Sequence, residues 1–375
     1  MMGQKILNLD GVSTKKIDTR KKYYIVKKSD GSFSSNIKLL MGKIDNACVF
    51  YAERLIETLF ENEFDVYIKL QKEYFEKLSG NKLFIYAGLS GESLLSRDAF
   101  KKYVEETVVK SEMKTYIYKY FYSFEILYLT KNIQNLCRQI QDTLYFFYDQ
   151  FNSENIFEGR KTKEGLTTIY SREGIVINSI LESIIIKTSS LLDYLSKLTF
   201  EAENLPLKFD EYPKRKSADY SHGDSLLSQT KVDKKLQWSV QERAGTVFED
   251  KQSDVLLIKK LRNHIVHNGF LDMEASIYEN KEKGELKERF ILMPDYTEGQ
   301  LDKYKGRTLF YSQDVKINLI LPELLESITQ LGFRTIQMLV NKEVIKNKKL
   351  IGFKPTEINI EIPDLRPYQL RKNPL

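Results

Sequence analysis

The segment "MKTYIYKYFYSFEILYLTKNIQNLCRQIQDTLYFFYDQF", residues 113–151, contains neither Gly nor Pro and decides the fold class. Its Tyr and Phe content also suits strands, but apolar residues recur at helical spacing, as at Leu127, Leu136, Ile140 and Leu144. We therefore predict one or two long helices here. An aromatic stripe at this spacing indicates a packed core more often than a surface that stacks on bases.

Helical spacing continues on both sides of this segment, so a mainly α protein is predicted. The predicted helices cover residues 37–60, 64–78, 96–109 and 175–198, then a helix that ends in "LRNHIVHNGF" (261–270), and a last helix whose first residue is Pro322. A β-hairpin is predicted at about 276–293, and a further short strand within "TLFYSQDVKINLIL" (308–321).

Four regions follow from these patterns. Residues 1–35 form a basic N-terminal segment, 36–160 an N-terminal helical region, 170–350 a helical module that contains the hairpin, and 351–375 an extended, Pro-containing tail. The polar stretch 152–173 is interpreted as the link between the two helical regions.

Composition indicates a soluble, cytoplasmic protein. The chain has 375 residues, of which 42% are hydrophobic and 29% charged, and Cys48 and Cys137 are its two cysteines. No secretory signal is expected in "MMGQKILNLDG". The most apolar run, in residues 175–198, is interrupted by Glu182, Lys187 and Asp193, so no membrane span is expected.

Positive charge is concentrated at the start of the chain. Residues 1–28 hold eight basic and two acidic residues, so their net charge equals the +6 of the whole chain. Such a segment suits attraction to a phosphate backbone, and a solvated lysine-rich terminus explains it equally well.

The segment "LRNHIVHNGF" (261–270) holds two of the three histidines in the chain, the third being His222. On a helical wheel, an apolar stripe (Leu257, Ile258, Leu261 and Ile265) faces the core of the module. Asn263 and His267 point away from that stripe, Arg262 lies on its flank, and His264 falls at the core margin, where a structural role is favoured.

Two further features of this helix bear on function. Val266 is apolar on the outward side, which suggests a surface that is covered, for example by a second copy of the chain. Asn268 and Gly269 end the helix, which places His267 in a last turn whose unpaired carbonyls favour positive charge. Histidine transfers protons at cellular pH, and arginine binds phosphate. Together these groups suit transesterification at an RNA phosphate with the ribose 2′-hydroxyl as the attacking group.

The sequence RNHIVH at residues 262–267 resembles the R-x4-H signature, often R-N-x-x-x-H, of HEPN-domain ribonucleases. The resemblance covers roughly residues 170–350, with one helix before the motif and another after it. One toxin subgroup of that family has a tyrosine two residues after the histidine. Position 269 is Gly in this chain, so regulation through such a tyrosine is not expected.

The resemblance implies a HEPN-like bundle that dimerises across the motif face. It implies a metal-independent endoribonuclease that needs no cofactor and leaves a 2′,3′-cyclic phosphate. Arg262 would bind the scissile phosphate, His267 would handle the proton, and Asn263 would orient the phosphate or the histidine, with His264 as a supporting residue. Many members are toxins or abortive-infection effectors against phage that cut tRNA, rRNA or mRNA, so an antitoxin or other regulatory partner is also expected.

Other functions stay open at this point. A catalytically inactive helical module that binds RNA or protein would have the same bundle, and so would a scaffolding protein. Metal-dependent hydrolysis is disfavoured because no H-E-x-x-H run or acidic cluster with ligand spacing occurs. Walker-type and G-x-G-x-x-G nucleotide motifs are also absent from the sequence.

Overall fold

The structure is a computed structural model. It describes residues 4–18, 21–35, 39–60, 63–78, 98, 102, 113–153, 164–206, 208–210, 229–269, 271–272, 274–305 and 308–351. His222, the tail from residue 352 and most of the helix predicted at 96–109 lie outside the described residues.

The protein is mainly α, as predicted. The helices within the described residues are α1 (Leu39–Phe60), α2 (Phe64–Leu78), α3 (Lys114–Phe151), α4 (Arg172–Glu203), α5 (Gln229–Asp233), α6 (Val240–Arg243), α7 (Ser253–Asn268) and α8 (Ile317–Ile351). The aromatic segment forms one continuous helix, α3, and its rings at Tyr120, Tyr122, Phe147 and Tyr148 are buried. The prediction that these aromatic side chains pack in a core is confirmed for those four.

Helix α4 is longer at both ends than the predicted 175–198. Ser171 caps its N-terminus, because the hydroxyl accepts a hydrogen bond from the backbone N–H of Gly174 at 3.0 Å. By length and composition alone, α4 is apolar enough to cross a membrane, although Glu182, Lys187 and Asp193 interrupt it. Of its most apolar stretch, 56% is buried within the protein.

The last helix begins earlier than predicted. Pro322 is not its first residue, because α8 starts at Ile317 and contains the proline in its second turn. A proline has no N–H, so the carbonyl four residues before it loses its helical partner. That carbonyl belongs to Asn318, and the buried Tyr148 hydroxyl donates to it at 2.5 Å. The tertiary hydrogen bond therefore replaces the bond that the proline removes.

The N-terminal basic segment folds into a small antiparallel sheet of β1 (Lys5–Leu7), β2 (Ile25–Lys27) and β3 (Phe33–Ser35). Several of its lysines pair with carboxylates. Lys21 lies 2.6 Å from Asp10, and Lys27 lies 2.6 Å from Asp149. Part of the positive charge predicted to attract phosphate is therefore balanced within the fold.

The predicted hairpin is confirmed as β5 (Ile277–Glu282) and β6 (Glu285–Phe290). A third strand, β4 (Gly165–Ile169), pairs with β5, so part of the stretch interpreted as a polar link is a strand. The remaining strands are two-residue ribbons: β7 (Tyr296–Thr297) with β8 (Gln300–Leu301), and β9 (Lys303–Tyr304) with β10 (Thr308–Leu309). Of the strand predicted in 308–321, only β10 forms, because Ile317 already starts α8.

The chain divides into two compact units. Unit 1 comprises Met1–Asp45, Tyr128–Pro206 and Lys214–Ile336, and unit 2 comprises Asn46–Leu127, Leu207–Pro213 and Gln337–Leu375. These units do not coincide with the predicted regions 36–160 and 170–350, because α1, α3 and α8 each continue past a unit boundary. The motif helix α7 and helix α4 belong to unit 1.

Candidate active site

Helix α7 carries the RNHIVH motif and packs against α4. The predicted core stripe is confirmed for Leu257, Ile258 and Leu261, which are all buried, while Ile265 is partly exposed. The burial of that stripe fixes the rotation of α7 about its own axis. It therefore also fixes which motif side chains can reach solvent.

The end of α7 lies at Asn268, as predicted. Gly269 has φ +96° and ψ −154°, an extended conformation open to glycine alone, rather than the left-handed helical conformation that was expected. Two side chains then hold Leu271: its N–H donates to Glu182 at 3.3 Å, and its carbonyl accepts from the Tyr311 hydroxyl at 2.5 Å. Burial raises the pKa of Glu182, and the N–H of Leu271 opposes that rise.

Arg262 is partly exposed on the flank of α7 that faces α4. Its guanidinium donates to the Asn263 side-chain oxygen at 3.0 Å, and Asn263 itself is exposed. Five residues at about 100° each place Arg262 and His267 roughly 140° apart around the helix axis. The exposed side chain of Val266 lies between them.

His267 is exposed in the last turn of α7. In the part of the chain that the structure describes, no hydrogen bond or ion pair joins His267 to another side chain. The last carbonyls of a helix carry partial negative charge, which favours a positive group there. Both Arg262 and His267 are thus accessible to a ligand from solvent.

His264 points the other way. It is buried, at 9% exposure, and its Nδ1 lies 3.4 Å from the side-chain nitrogen of Asn268. The prediction that His264 lies at the core margin is confirmed. The burial of His264 separates its imidazole from the exposed groups of the motif.

Sequence reasoning missed a polar junction beside Arg262. Gln229, the first residue of α5, joins α4 to α7: its N–H donates to Asp193 at 3.1 Å, and its side-chain oxygen accepts from Lys259 at 2.9 Å. The Lys259 ammonium also donates to the Thr230 hydroxyl. Nothing in the sequence brings residues 193, 229 and 259 together, because they are far apart along the chain.

Charge is distributed unevenly in this junction. Burial raises the pKa of Asp193, and the N–H of Gln229 together with Lys197, Arg262 and Lys259 opposes that rise. Burial also lowers the pKa of Lys259, an effect opposed mainly by Asp193. Three cations therefore act electrostatically on one partly buried carboxylate.

The chain matches no protein-family model, no curated protein and no solved structure. Among the described residues, no three His, Cys, Asp or Glu side chains converge on a position that could hold a metal ion.

Proposed function

We propose that the protein is a metal-independent endoribonuclease of the HEPN type, with residues 170–350 as a HEPN-like helical module. The observation that carries the proposal is the placement of Arg262 and His267 at the solvent-exposed end of α7, at the R-N-x-x-x-H spacing. All three side chains of the motif, Arg262, Asn263 and His267, can be reached from solvent by an RNA strand.

In the proposed reaction, the 2′-hydroxyl loses its proton to the imidazole of His267 as its oxygen attacks the adjacent phosphorus. The bond from phosphorus to the 5′-oxygen breaks, and that oxygen takes up the proton that the imidazole of His267 received. The products are a 2′,3′-cyclic phosphate and a 5′-hydroxyl. Arg262 neutralises the charge that develops on the phosphate, and the bond from Arg262 to Asn263 orients its guanidinium.

In a homodimer, the arginine and the histidine of one site come from opposite copies. Arg262 and His267 lie on different sides of the outward face of α7, with exposed Val266 between them. A second copy that packs across Val266 brings the histidine of one copy near the arginine of the other. The apolar valine becomes covered in the same step.

The activity is tested with purified protein, total tRNA and rRNA in EDTA, followed by analysis of the new RNA ends. We expect cleavage that leaves 2′,3′-cyclic phosphates. His267→Ala and Arg262→Ala should each lower the rate about a hundredfold or more, because each removes a group that acts on the transition state. His222→Ala is the matched histidine control and should cleave normally.

Three outcomes would count against this function. Cleavage that requires a divalent ion contradicts the mechanism, and unchanged cleavage by His267→Ala removes that residue from it. RNA binding without cleavage by the wild-type protein supports instead the alternative, a catalytically inactive module that binds RNA or protein.

The shared site is tested by mixing two inactive variants, Arg262→Ala and His267→Ala, after dissociation and reassembly. In a mixed dimer, one of the two sites combines an intact arginine with an intact histidine from opposite copies. Recovery of activity on mixing supports the shared site. A mixed dimer that forms yet remains inactive places both groups of each site within one copy.

In the cell, we propose that the protein acts as a cytoplasmic toxin or as an abortive-infection effector against phage, restrained by an antitoxin or other regulatory partner. Its RNA is tRNA, rRNA or mRNA. Induced expression of the wild type should arrest growth, and His267→Ala should not. If both proteins arrest growth, the toxicity does not depend on cleavage by His267, which contradicts this proposal.

A further inference from the structure

The chain beyond α7 continues along α4 and is tied to it at two points. The backbone N–H of Leu271 donates to the Glu182 carboxylate at 3.3 Å, and the side-chain nitrogen of Asn178 donates to the carbonyl of Ala275 at 3.0 Å. Glu182 and Asn178 are four residues apart on α4, as Leu271 and Ala275 are beyond α7. Because residues four apart lie on one face of a helix, a single face of α4 holds this segment.

Leu271 is held from a second side by Tyr311, which precedes α8. The Tyr311 hydroxyl donates to the Leu271 carbonyl at 2.5 Å, so both backbone groups of this buried residue have side-chain partners. Leu271 lies four residues after His267, and Gly269 between them has a backbone conformation open to glycine alone. We call Glu182, Tyr311 and the backbone of Leu271 the Leu271 clamp.

The imidazole of His267 depends on the backbone of the last turn of α7 for its position. Its side chain is exposed, and among the described residues no hydrogen bond or ion pair joins it to another side chain. Helix ends fray, because their last carbonyls lack partners within the helix. A displacement of about 1 Å at a reacting group lowers a rate by as much as about a hundredfold. An ordered last turn is therefore needed if His267 acts in catalysis.

Arg262 is anchored in a different way. It lies in the part of α7 whose neighbouring side chains, Ile258 and Leu261, are buried in the core. That burial fixes the backbone at Arg262 without help from the chain beyond the helix. Loss of the Leu271 clamp should therefore disturb His267 and leave Arg262 in place.

We propose that Glu182 and Tyr311 are positioning residues for His267. Through the backbone of Leu271 they hold the last turn of α7, and the imidazole with it, in one place. The inference rests on the proposed ribonuclease function for the task of His267, which is to move the proton. It adds to the site two residues that are remote from the motif in sequence and that do not themselves contact the RNA.

The order of the last turn is measured without RNA, by nuclear magnetic resonance of the imidazole C–H groups. The chain has three histidines, so single substitutions assign every signal. Tyr311→Phe removes only the hydroxyl, and Glu182→Met removes the carboxylate at similar side-chain length. Each should shift and broaden the His267 signal and raise amide exchange at residues 266–268 about fivefold, with no change at residues 257–261.

Two control variants separate the clamp from unrelated changes. Glu182→Gln keeps an oxygen that accepts the N–H of Leu271, so it should retain the wild-type signal and exchange rates. Tyr304→Phe removes a hydroxyl from an exposed ring on β9 and should change neither. Thermal unfolding shows whether each variant is folded.

Two results would overturn the proposal. If exchange at residues 266–268 stays at the wild-type rate in both Tyr311→Phe and Glu182→Met, the last turn needs no clamp. If Glu182→Gln and Glu182→Met have equal effects, the hydrogen bond to Leu271 is not the cause.

Cleavage provides a readout that a merely structural role would not change. Under single-turnover conditions, Tyr311→Phe and Glu182→Met should lower the maximal rate about tenfold or more. The protein concentration that gives half-maximal rate should stay the same, because Arg262 remains in place. Glu182→Gln should restore the wild-type rate. In His267→Ala, adding Tyr311→Phe should lower the residual rate no further, since no imidazole is left to be placed.

The two proposals fail in different ways. If the wild type cleaves no RNA but the last turn loses its order in the clamp variants, the ribonuclease proposal fails while the clamp still holds the helix end. If the wild type cleaves RNA and Tyr311→Phe cleaves at the same maximal rate despite faster exchange, the positioning role alone is rejected.

Discussion

At the scale of single residues, Asp193 has a carboxyl group whose pKa is raised by the fold. Its carboxylate is partly buried where α4, α5 and α7 meet, and burial raises its pKa even though three cations oppose the rise. A raised pKa means that the folded state holds the proton more tightly than the unfolded state. Asp193 therefore costs stability when it is charged, at neutral pH, and that cost disappears as the pH falls through the raised pKa.

Replacing Asp193 with asparagine should remove the contribution of this residue to the pH dependence of the free energy of unfolding. An amide oxygen still accepts the N–H of Gln229, but it carries no charge to desolvate. Relative to wild type, Asp193→Asn should gain free energy of unfolding as the pH rises from the ordinary value of 3.8 toward neutrality. Urea unfolding across that range measures the difference. If the difference in free energy of unfolding between the two proteins stays constant with pH, the pKa of Asp193 is not raised in the folded state.

At the scale of single residues, the motif could be predicted and its surroundings could not. Arg262, Asn263 and His267 were recognised because their spacing is a local property of one helix. The inward position of His264 was also readable, since it follows from the same helical wheel. Gln229 and Lys259 were missed, because hydrogen bonds between residues far apart in the chain leave no local pattern.

The N-terminus of α7 is held by a neighbouring turn rather than by a side-chain cap. Gln252 occupies the capping position without a capping hydrogen bond from its side chain. The turn between β7 and β8 packs on this end, where Gly299 has φ +78°. A Cβ atom at Gly299 would collide with the backbone carbonyl oxygen of Ser253. Backbone cannot move aside as a flexible side chain does, so the position requires glycine.

Gly299→Ala should therefore destabilise the helix that carries the candidate site. Gly284 is the matched control: it has φ +77°, and nothing lies within 4 Å of an added Cβ. Gly284→Ala should cost only the backbone strain of about 1–2 kcal/mol. Gly299→Ala should cost on the order of 3 kcal/mol or more, because the steric clash adds to that strain. Equal losses in chemical unfolding would mean that the turn can move away from α7.

At the scale of elements, the sequence predicts the presence of the helices better than the residues at which they begin and end. Long apolar periodicity gave α1, α2 and α3 to within a few residues, since every turn repeats the same signal. The start of α8 was misplaced, because a proline usually marks a first turn and the compensating Tyr148 hydroxyl is remote in sequence. Strand β4 was missed because its partner β5 lies more than a hundred residues away.

Across unit 1, a buried ion pair links distant segments of the chain. Arg289 and Glu279 are both buried, and the guanidinium lies 2.6 Å from the carboxylate. Arg289 also donates to the carbonyl oxygens of Phe151 and Ser153, at the end of α3, and its N–H donates to the Asp10 carbonyl at 2.8 Å. Arg289 therefore connects the hairpin to the N-terminal segment and to α3 through hydrogen bonds.

Glu279→Gln should destabilise the protein by about 3–5 kcal/mol, because it leaves the Arg289 charge buried without its counterion. Glu285→Gln is the control on the same hairpin: Glu285 pairs with Lys287 at 2.7 Å at the surface, and its loss should have no measurable effect. Glu279→Met combined with Arg289→Met should recover much of the lost stability. Chemical unfolding of the variants provides the measurement. A small loss in Glu279→Gln would mean that water reaches Arg289.

The linear chain carries enough information for the helical class, the hairpin and the R-N-x-x-x-H spacing, because each arises among residues near one another along the backbone. Packing was needed to join Asp193 to Gln229, to bury Glu279 with Arg289 and to divide the chain into discontinuous units. These three features depend on which helices and strands pack against each other. That packing is determined by the total free energy of burying many side chains at once, and no short stretch of residues encodes it.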